Sequence, residues 1–320
     1  MKVIRFNQVQ PGIEPREMAS RYQASIDMAA YADEHGFDVV TLEEHHGADN
    51  GWSPSPLVTA GLIFGRCPRI AVSISALLVP LHDPLRIAED IAVLDLASGG
   101  RLSVIAGLGY RPEEYAQHGK SFSERGKLMD EALEAILQAW TGEPFTYRET
   151  TVRVTPKPLT AAQSLLMVGG TSKPAARRAA RLGLGFSTAA NIPELEAYYY
   201  EQCEKQGTQG FCFMPAADFW HVFVHEDPDE AWATLGQYFL HEATTYAQWQ
   251  TPDVSSAVHS HATTVEELRA EGIYRILTPD ECVALGPDAS FALHPLVGGM
   301  PIDEGWRSLT LFVEKVASRL

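Results

Sequence analysis

The stretch RIAVSISALLVPLHDPLRIAEDIAVLDLASGGRLSVIA, residues 69–106, contains two apolar runs separated by an amphipathic segment. The first run, Arg69 to Pro80, predicts a strand. Asp83 followed by proline is typical of a helix N-terminus, because the carboxylate caps free N–H groups and proline is tolerated in the first turn. Gly99 and Gly100 end that helix, and Arg101 to Ala106 predicts the next strand. A strand–helix–strand unit of this kind predicts parallel strands.

The same alternation extends over almost the whole chain and decides the fold class. Beyond the two strands above, further strands are predicted at Lys2 to Phe6, Asp38 to Leu42, Leu165 to Val168, Gly185 to Thr188, Phe219 to His225 and Ser290 to His294, with a small hairpin at Thr146 to Thr155. Eight strands, each eventually followed by a helix, predict an α/β fold, the (β/α)8 TIM barrel, in preference to an open doubly wound sheet. Residues 1–320 are expected to form a single domain, with the polar segment 251–288 as an insertion before the last strand and a candidate lid.

Composition and charge exclude several classes of protein. The 320 residues are 45% hydrophobic and 21% charged, which excludes a mainly disordered chain. A formal charge of -16 repels phosphate backbones and anionic lipid, so neither nucleic acid nor membrane is expected as a partner. The sequence contains no apolar run of roughly 18 residues and no signal-peptide pattern, which indicates a cytoplasmic protein. The four cysteines, Cys67, Cys203, Cys212 and Cys282, lack metal or disulfide spacing and are expected to be reduced, mostly buried thiols.

Two carboxylates and two imidazoles, Glu43 to His46, follow the second predicted strand. Catalytic residues of a barrel come from the C-terminal ends of strands, so this group is a candidate site. Adjacent side chains at a strand end point to opposite sides, and at most two of the four can therefore converge. No metal site is predicted, because only His294 offers a further ligand at another strand end. A polar rim with a structural histidine is one interpretation, and the favoured one is that His45 or His46 donates a hydrogen bond beside a cofactor or substrate.

A second candidate site follows the fifth predicted strand in the run Gly169-Gly170-Thr171-Ser172. The glycines allow a ligand to approach the backbone, Thr171 and Ser172 supply hydroxyls, and the helix that begins there directs free N–H groups at an anion. A phosphate site is therefore predicted, with a plain tight turn capped by Ser172 as the alternative. Gly107 and Gly109 after the fourth strand are a weaker signal, since they lack the further spacing of a dinucleotide fingerprint.

Four segments together resemble the bacterial luciferase-like, flavin-dependent monooxygenases. They are DVVTLEEHH (38–46), SALLVPLHDPLRIAEDIAVLDLASGGRL (75–102), GLGYRPEEYAQHG (107–119) and LMVGGTSKPAARRAARLGLGF (166–186). The resemblance covers most of the chain in order. It implies a single barrel with an insertion, reduced FMN or the deazaflavin coenzyme as cofactor, and a homodimer.

The resemblance also implies roles for particular residues. His45 matches the family's active-site histidine beside the flavin, with Glu44 as a second catalytic candidate. Ser75 and Ala76 fall where many members have a non-prolyl cis peptide that supports the flavin ring. The implied cofactor-binding residues are Ser75, Ala76, Gly107, Gly109, Tyr110, Gly169, Gly170, Thr171 and Ser172. The luciferases proper have an arginine where this chain has Leu108, so their mode of pairing the phosphate charge is not expected here.

The function implied by the resemblance is that of a two-component monooxygenase. Such an enzyme takes reduced FMN from a separate flavin reductase and uses O2 to oxidise a small organic substrate. The chain has no G-x-G-x-x-G unit for an NAD(P)H domain of its own, which is consistent with delivery of the cofactor from outside. The alternatives are a deazaflavin-dependent oxidoreductase that transfers hydride, a flavin-binding protein without catalysis, and a metal-dependent barrel hydrolase.

Overall fold

The computed structural model describes residues 1–217, 219–249, 256 and 258–320. The strands are β1 (Lys2–Phe6), β2 (Val39–Leu42), β3 (Ala71–Leu77), β4 (Leu102–Ala106), β5 (Phe145–Tyr147), β6 (Thr150–Val152), β7 (Leu166–Gly169), β8 (Gly185–Ser187), β9 (Cys212–Phe213), β10 (His221–Val224), β11 (Tyr274–Leu277) and β12 (Phe291–Leu293). The helices are α1 (Pro15–Glu34), α2 (Pro56–Arg66), α3 (Pro84–Ser98), α4 (Pro112–Gln117), α5 (Arg125–Ala139), α6 (Ala162–Leu165), α7 (Lys173–Leu182), α8 (Pro193–Gln206), α9 (Pro228–Trp249), α10 (Val265–Glu271), α11 (Pro279–Ala284) and α12 (Ile302–Lys315).

One parallel sheet of ten strands forms the centre of the molecule, in the order β11-β10-β12-β1-β2-β3-β4-β7-β8-β9. Eight of these strands coincide with the eight predicted from sequence, and helices follow them along the chain. The fold is the predicted α/β architecture, a TIM barrel. The separate antiparallel pair β5–β6 is the predicted hairpin.

The helix α3 shows why the opening stretch of sequence folds as a strand–helix–strand unit. The carboxylate of Asp83 accepts hydrogen bonds from the backbone N–H groups of Leu85 (3.0 Å) and Arg86 (3.3 Å). At the other end Gly99 adopts a left-handed conformation with φ of 68°, which a residue with a Cβ rarely adopts. Both ends of the helix are therefore set by the residues that the sequence supplies there.

Two short strands were not predicted, and one of them lies within the expected insertion. The four residues of β11 pair in parallel with β10, from Tyr274 opposite His221 to Leu277 opposite Val224. Part of the segment 251–288 thus belongs to the sheet, together with the helices α10 and α11 on either side of β11. Residues 251–255 and 257 lie outside the described residues. The role of this segment as a lid stays a prediction.

The cysteines are free thiols, and most of them are buried. Cys67, Cys203 and Cys282 are buried free thiols, as expected, and Cys212 is half-buried. Burial raises the pKa of Cys67 and of Cys212 to about 11, and that of Cys282 to about 12. Such thiols remain protonated near neutral pH. Among the described residues, no helix combines the length and the apolar character needed to cross a bilayer.

Candidate active site at the C-terminal ends of the strands

The groups singled out from sequence lie at one end of the sheet. Because the strands are parallel, the loops that follow β2, β3, β4 and β7 all leave the same edge. Contacts between these loops support this placement: the Tyr110 hydroxyl lies 3.2 Å from His45 Nε2. A Cβ added to Gly107 would lie only 2.7 Å from the Cβ of Ala76. Gly107 is therefore required for the close approach of two loops, whatever it contributes to a cofactor.

His45 lies in a chain of three hydrogen-bonded side chains. Its Nδ1 donates to Oε1 of Glu114 at 2.9 Å, and its Nε2 faces the hydroxyl of Tyr110. Burial favours the neutral acid of Glu114, but the hydrogen bond and charge of His45 outweigh it and lower the pKa of that carboxyl. Burial, followed by the neighbouring Tyr246, raises the pKa of Tyr110 well above its usual value. The carboxylate thus holds Nδ1 of His45, and the protonated hydroxyl of Tyr110 can donate a hydrogen bond to Nε2.

Glu114 also holds the loop after β2 in place. The same Oε1 accepts the backbone N–H of His46 at 3.0 Å and a guanidinium N–H of Arg111 at 3.2 Å. Sequence reasoning missed Glu114, because it lies on the short helix α4 and not at a strand end. The signal in the sequence is the pair of acidic residues, Glu113 and Glu114, at the start of that helix. In the structure Glu113 is exposed and Glu114 is buried.

Glu44 belongs to a different cluster from His45. Its Oε1 accepts hydrogen bonds from Nε2 of His46 at 2.9 Å and Nε2 of His82 at 2.6 Å. Burial would raise the pKa of Glu44, but the hydrogen bonds from His46 and His82, the charge of His82 and the N–H of Leu78 lower it to about 2. The structure therefore does not bring the carboxylate of Glu44 to His45. Adjacent residues of the strand end diverge, as the alternation of a strand requires.

Glu44, His46 and His82 place three ligand-type atoms within 4.8 Å of one another. The prediction of no metal site had overlooked His82, which follows the turn after β3. The two nitrogen–oxygen separations of 2.6 and 2.9 Å are those of hydrogen bonds. Ligands that each lie about 2.0–2.1 Å from a tetrahedral zinc ion would be about 3.3 Å apart. The spacing of these atoms therefore fits a hydrogen-bonded cluster.

Glu242 of α9 is the centre of a third cluster and is 1% exposed. Its oxygens accept hydrogen bonds from Arg5 Nη1 (2.6 Å), Asn7 Nδ2 (2.9 Å), Tyr274 OH (3.1 Å), His294 Nε2 (2.9 Å) and the Gly298 N–H (3.3 Å). Burial favours the neutral acid, but the charge and hydrogen bond of His294 and the charge of Arg5 hold the pKa of Glu242 well below its usual range. His294, expected at the rim, is thus engaged by Glu242, and α9 is fixed to β1, β11 and the loop after β12.

The proposed cofactor residues lie on the neighbouring part of the same edge. The Ser75–Ala76 peptide is cis, as the family resemblance implied, and Ser75 is exposed at the end of an otherwise largely buried strand. After β7, Ser172 is the N-cap residue of α7, but its hydroxyl makes no capping hydrogen bond among the described residues. The Gly170 N–H of this turn donates a hydrogen bond to the backbone oxygen of Ser187 at 3.0 Å. The hydroxyl of the next residue, Thr188, is buried and has no hydrogen-bond partner in the described part of the chain. Free hydroxyls at a helix N-terminus fit a phosphate group.

The rim of this parallel α/β barrel carries an imidazole–carboxylate pair and a turn with free hydroxyls, an arrangement typical of barrel enzymes. Sequence comparison assigns the family. The profile of the family described as luciferase-like monooxygenase matches residues 1–284. The chain belongs to this family and is an oxidoreductase.

Individual relatives agree with this assignment. The beta chain of alkanal monooxygenase from Vibrio harveyi is 25% identical over 194 residues, which are 57% of this chain and 59% of that protein. The match to the uncharacterised protein y4vJ of Sinorhizobium fredii covers a smaller share of that protein, 39% of its length.

Two solved structures share the fold over its full length. Monooxygenase RslO1 from Streptomyces bottropensis is 24% identical with a TM-score of 0.75, over 99% of each chain. The oxygenating constituent of 3,6-diketocamphane monooxygenase from Pseudomonas putida, in complex with FMN, is 18% identical with a TM-score of 0.71, over 100% of this chain and 98% of that chain. At these identities the likeness establishes the fold.

The ionised carboxylate of Glu44 predicts a loss of stability in acid. A folded-state pKa of about 2, below that of the unfolded chain, stabilises the fold above about pH 5, and this contribution disappears as the pH falls through about 2. The unfolding free energy of wild type should therefore fall by about 3 kcal/mol more than that of Glu44→Gln between pH 7 and 2. Urea unfolding at a series of pH values measures this difference. The control Glu149→Gln, at an exposed position, should keep the wild-type pH profile. An acid limb that is the same in Glu44→Gln and wild type would contradict the prediction.

Proposed function

We propose that the protein is the oxygenating component of a two-component, FMN-dependent monooxygenase. The observation that carries this proposal is the chain Glu114–His45–Tyr110, which lies on the same rim as the turn at Gly170 to Ser172. A histidine held by a carboxylate beside a phosphate-type turn supplies both an acid–base group and a place for an anionic cofactor. The substrate is a small organic molecule that is oxidised with O2.

The residues of the rim divide into two groups that would hold the cofactor. The phosphate of FMN would be bound by Gly169, Gly170, Thr171 and Ser172. The hydroxyl of Thr188, which has no hydrogen-bond partner among the described residues, would join them. Ser75, Ala76, Gly107, Gly109 and Tyr110 would lie against its ring system. Reduced flavin supplies, when bound, the electrons for the reduction of O2. The burial of His45 beneath aromatic side chains excludes water from the reacting end of the site.

His45 is the proposed acid–base residue. Its Nε2 is the ring atom directed away from Glu114, and it can take or return a proton while Nδ1 stays bonded to the carboxylate. A ring nitrogen of imidazole can both accept and release a proton, which suits this exchange. Glu114 acts as a positioning residue, because it sets the tautomer and orientation of the ring. Glu44 orients His46 and His82 and stays a second catalytic candidate.

A separate flavin reductase would deliver the reduced cofactor. This part of the proposal is supported by the FMN-bound oxygenating constituent that shares the fold. The deazaflavin coenzyme stays the alternative cofactor. A cytoplasmic location stays a prediction from the sequence.

A homodimer is proposed through the outer faces of α2 and α3. These two helices pack against each other and leave four large apolar side chains strongly exposed: Val58 at 66%, Leu62 at 51%, Val93 at 51% and Leu96 at 43%. Apolar side chains clustered on adjacent helices are typical of a surface that is covered by a partner. A second copy of the chain would cover both faces by a two-fold arrangement.

The proposed function makes three predictions, and the first concerns the cofactor. The double substitution Thr171→Ala with Ser172→Ala should weaken binding of reduced FMN by about 1–3 kcal/mol, because hydrogen bonds to a charged group are lost. Anaerobic fluorescence titration with reduced FMN and, in parallel, reduced deazaflavin coenzyme measures this change. Tighter binding of the deazaflavin by the wild type would overturn FMN as the cofactor. Unchanged FMN affinity in the double variant would place the phosphate elsewhere.

The second prediction concerns the acid–base residue. His45→Ala should lower the rate of product formation by about two to four decades, which is the usual contribution of a general acid or base. The affinity for flavin should stay nearly unchanged. Glu114→Gln should lower kcat less and shift the pH profile, because the tautomer of His45 is no longer fixed. The exposed neighbour Glu113→Gln serves as the matched control. Single-turnover kinetics that show a larger loss for His46→Ala than for His45→Ala would contradict the assignment.

The third prediction concerns assembly. Leu62→Asp with Val93→Asp should convert the dimer into a monomer, because the charged groups would be buried without partners at the interface. Light scattering coupled to size-exclusion chromatography measures the mass. Leu159→Asp, at an apolar position that is 65% exposed, is the control and should leave the dimer intact. A wild-type protein that elutes as a monomer at micromolar concentration would contradict the proposal.

A further inference from the structure

Aromatic side chains beside the His45 ring form what is here called the aromatic box. Its walls are Trp52, Tyr110 and Tyr246, and the indole of Trp249 occupies it. Ring centroids of Trp52, Tyr110 and Trp249 lie 5.1, 5.6 and 4.9 Å from that of His45. Trp52 lies 5.9 Å from Tyr246 in a stacked arrangement, and Tyr246 lies 6.3 Å from Tyr110. Three separate parts of the chain thus place flat apolar surfaces around the proposed acid–base residue.

The box has a polar group in its wall. The Trp52 side chain is 2% exposed, and its Nε1–H is buried without a hydrogen-bond partner among the described residues. A buried donor without an acceptor destabilises a protein by about 1–3 kcal/mol, so such groups in a site commonly serve a ligand. The donor calls for an oxygen or another acceptor on that ligand.

Trp249, the last residue of α9, lies inside the box. Its ring centroid is 5.0 Å from that of Trp52, and the Arg111 guanidinium lies 4.0 Å from its ring centroid. Arg111 is itself held by the backbone oxygen of His46 at 2.9 Å. A flat bicyclic ring therefore fits between an indole and a fixed cation, beside the imidazole of His45.

We propose that the substrate is a planar, at least bicyclic aromatic compound with an oxygen substituent, which takes the place of the Trp249 indole in the aromatic box. Arg111 contacts its ring face as a cation, and Trp52 donates a hydrogen bond to its oxygen. The inference rests on the proposed function, because it assigns a substrate class to the same site. A saturated compound of equal size has no π face for the guanidinium and gains less from this box.

A matched set of three probes tests the proposal: 2-naphthol, its saturated counterpart 2-decalol, and naphthalene. Binding is measured by anaerobic calorimetry with the 320-residue chain, with and without saturating reduced FMN. Wild type should bind 2-naphthol at least about 10-fold more tightly than 2-decalol, since a cation–π contact over a desolvated ring contributes about 1–2 kcal/mol. Equal affinity for 2-naphthol and 2-decalol would overturn the aromatic class.

Two variants separate the occupant of the box from its wall. Trp249→Ala should bind 2-naphthol several-fold more tightly than wild type, because the internal ring no longer competes. Trp52→Phe should weaken 2-naphthol binding by about 5-fold or more and leave naphthalene unchanged, because one hydrogen bond is lost. Trp220→Phe, outside the box, should behave as wild type. Weaker binding of 2-naphthol by Trp249→Ala would make that residue a wall and overturn its role as occupant.

The arms of the experiment keep the two proposals apart. Preference for 2-naphthol over 2-decalol without binding of either reduced FMN or the reduced deazaflavin coenzyme supports the aromatic class and overturns the flavin-dependent function. FMN binding without that preference supports the flavin-dependent function and overturns the aromatic class. Circular dichroism of each variant verifies the fold before the titrations are compared.

Discussion

The carboxylate of Glu242 is the buried charge on which the rim of the barrel depends. It joins a helix to the first strand, to β11 and to the loop after the last strand, through donors that include Arg5 and His294. Removing two opposite charges from water is costly, and such a pair is stable only when further hydrogen bonds satisfy both groups. The position of α9 follows from this contact. Because α9 lies there, Trp249 reaches His45, and Tyr246 reaches Trp52 and Tyr110.

Imidazole and carboxylate groups alternate around the rim of a strongly acidic chain. His45 pairs with Glu114, His46 and His82 pair with Glu44, and His294 pairs with Glu242. Each carboxylate has a pKa below its usual range, because its hydrogen-bond donors outweigh the effect of burial. The negative charge near the reacting end is therefore compensated locally.

The repeated alternation of strand and helix was enough to predict the fold, since long periodic segments such as α3 carry their own end signals. The short strand β11 was missed because four residues in a polar segment show no clear periodicity. In the site, the strand-end rule identified His45 and the turn at Thr171, but not Glu114 or Glu242, which come from helices. A lone acidic residue on the apolar face of the predicted helix 229–249 was the available signal for Glu242.

The contact between Arg5 and Glu242 spans 237 positions of the sequence. On a ribosome that adds roughly 5–20 residues per second, the partner of Arg5 emerges only after about ten to fifty seconds. Until then the first four strands can pair with one another, because their neighbours are local in sequence. The rim is completed last. A chain interrupted before α9 would keep much of its early core, including the loops that carry His45 and Glu114, but would lack the Glu242 contacts that join α9 to β1, β11 and the loop after β12. This end of the sheet is therefore assembled only when the last quarter of the chain has been made.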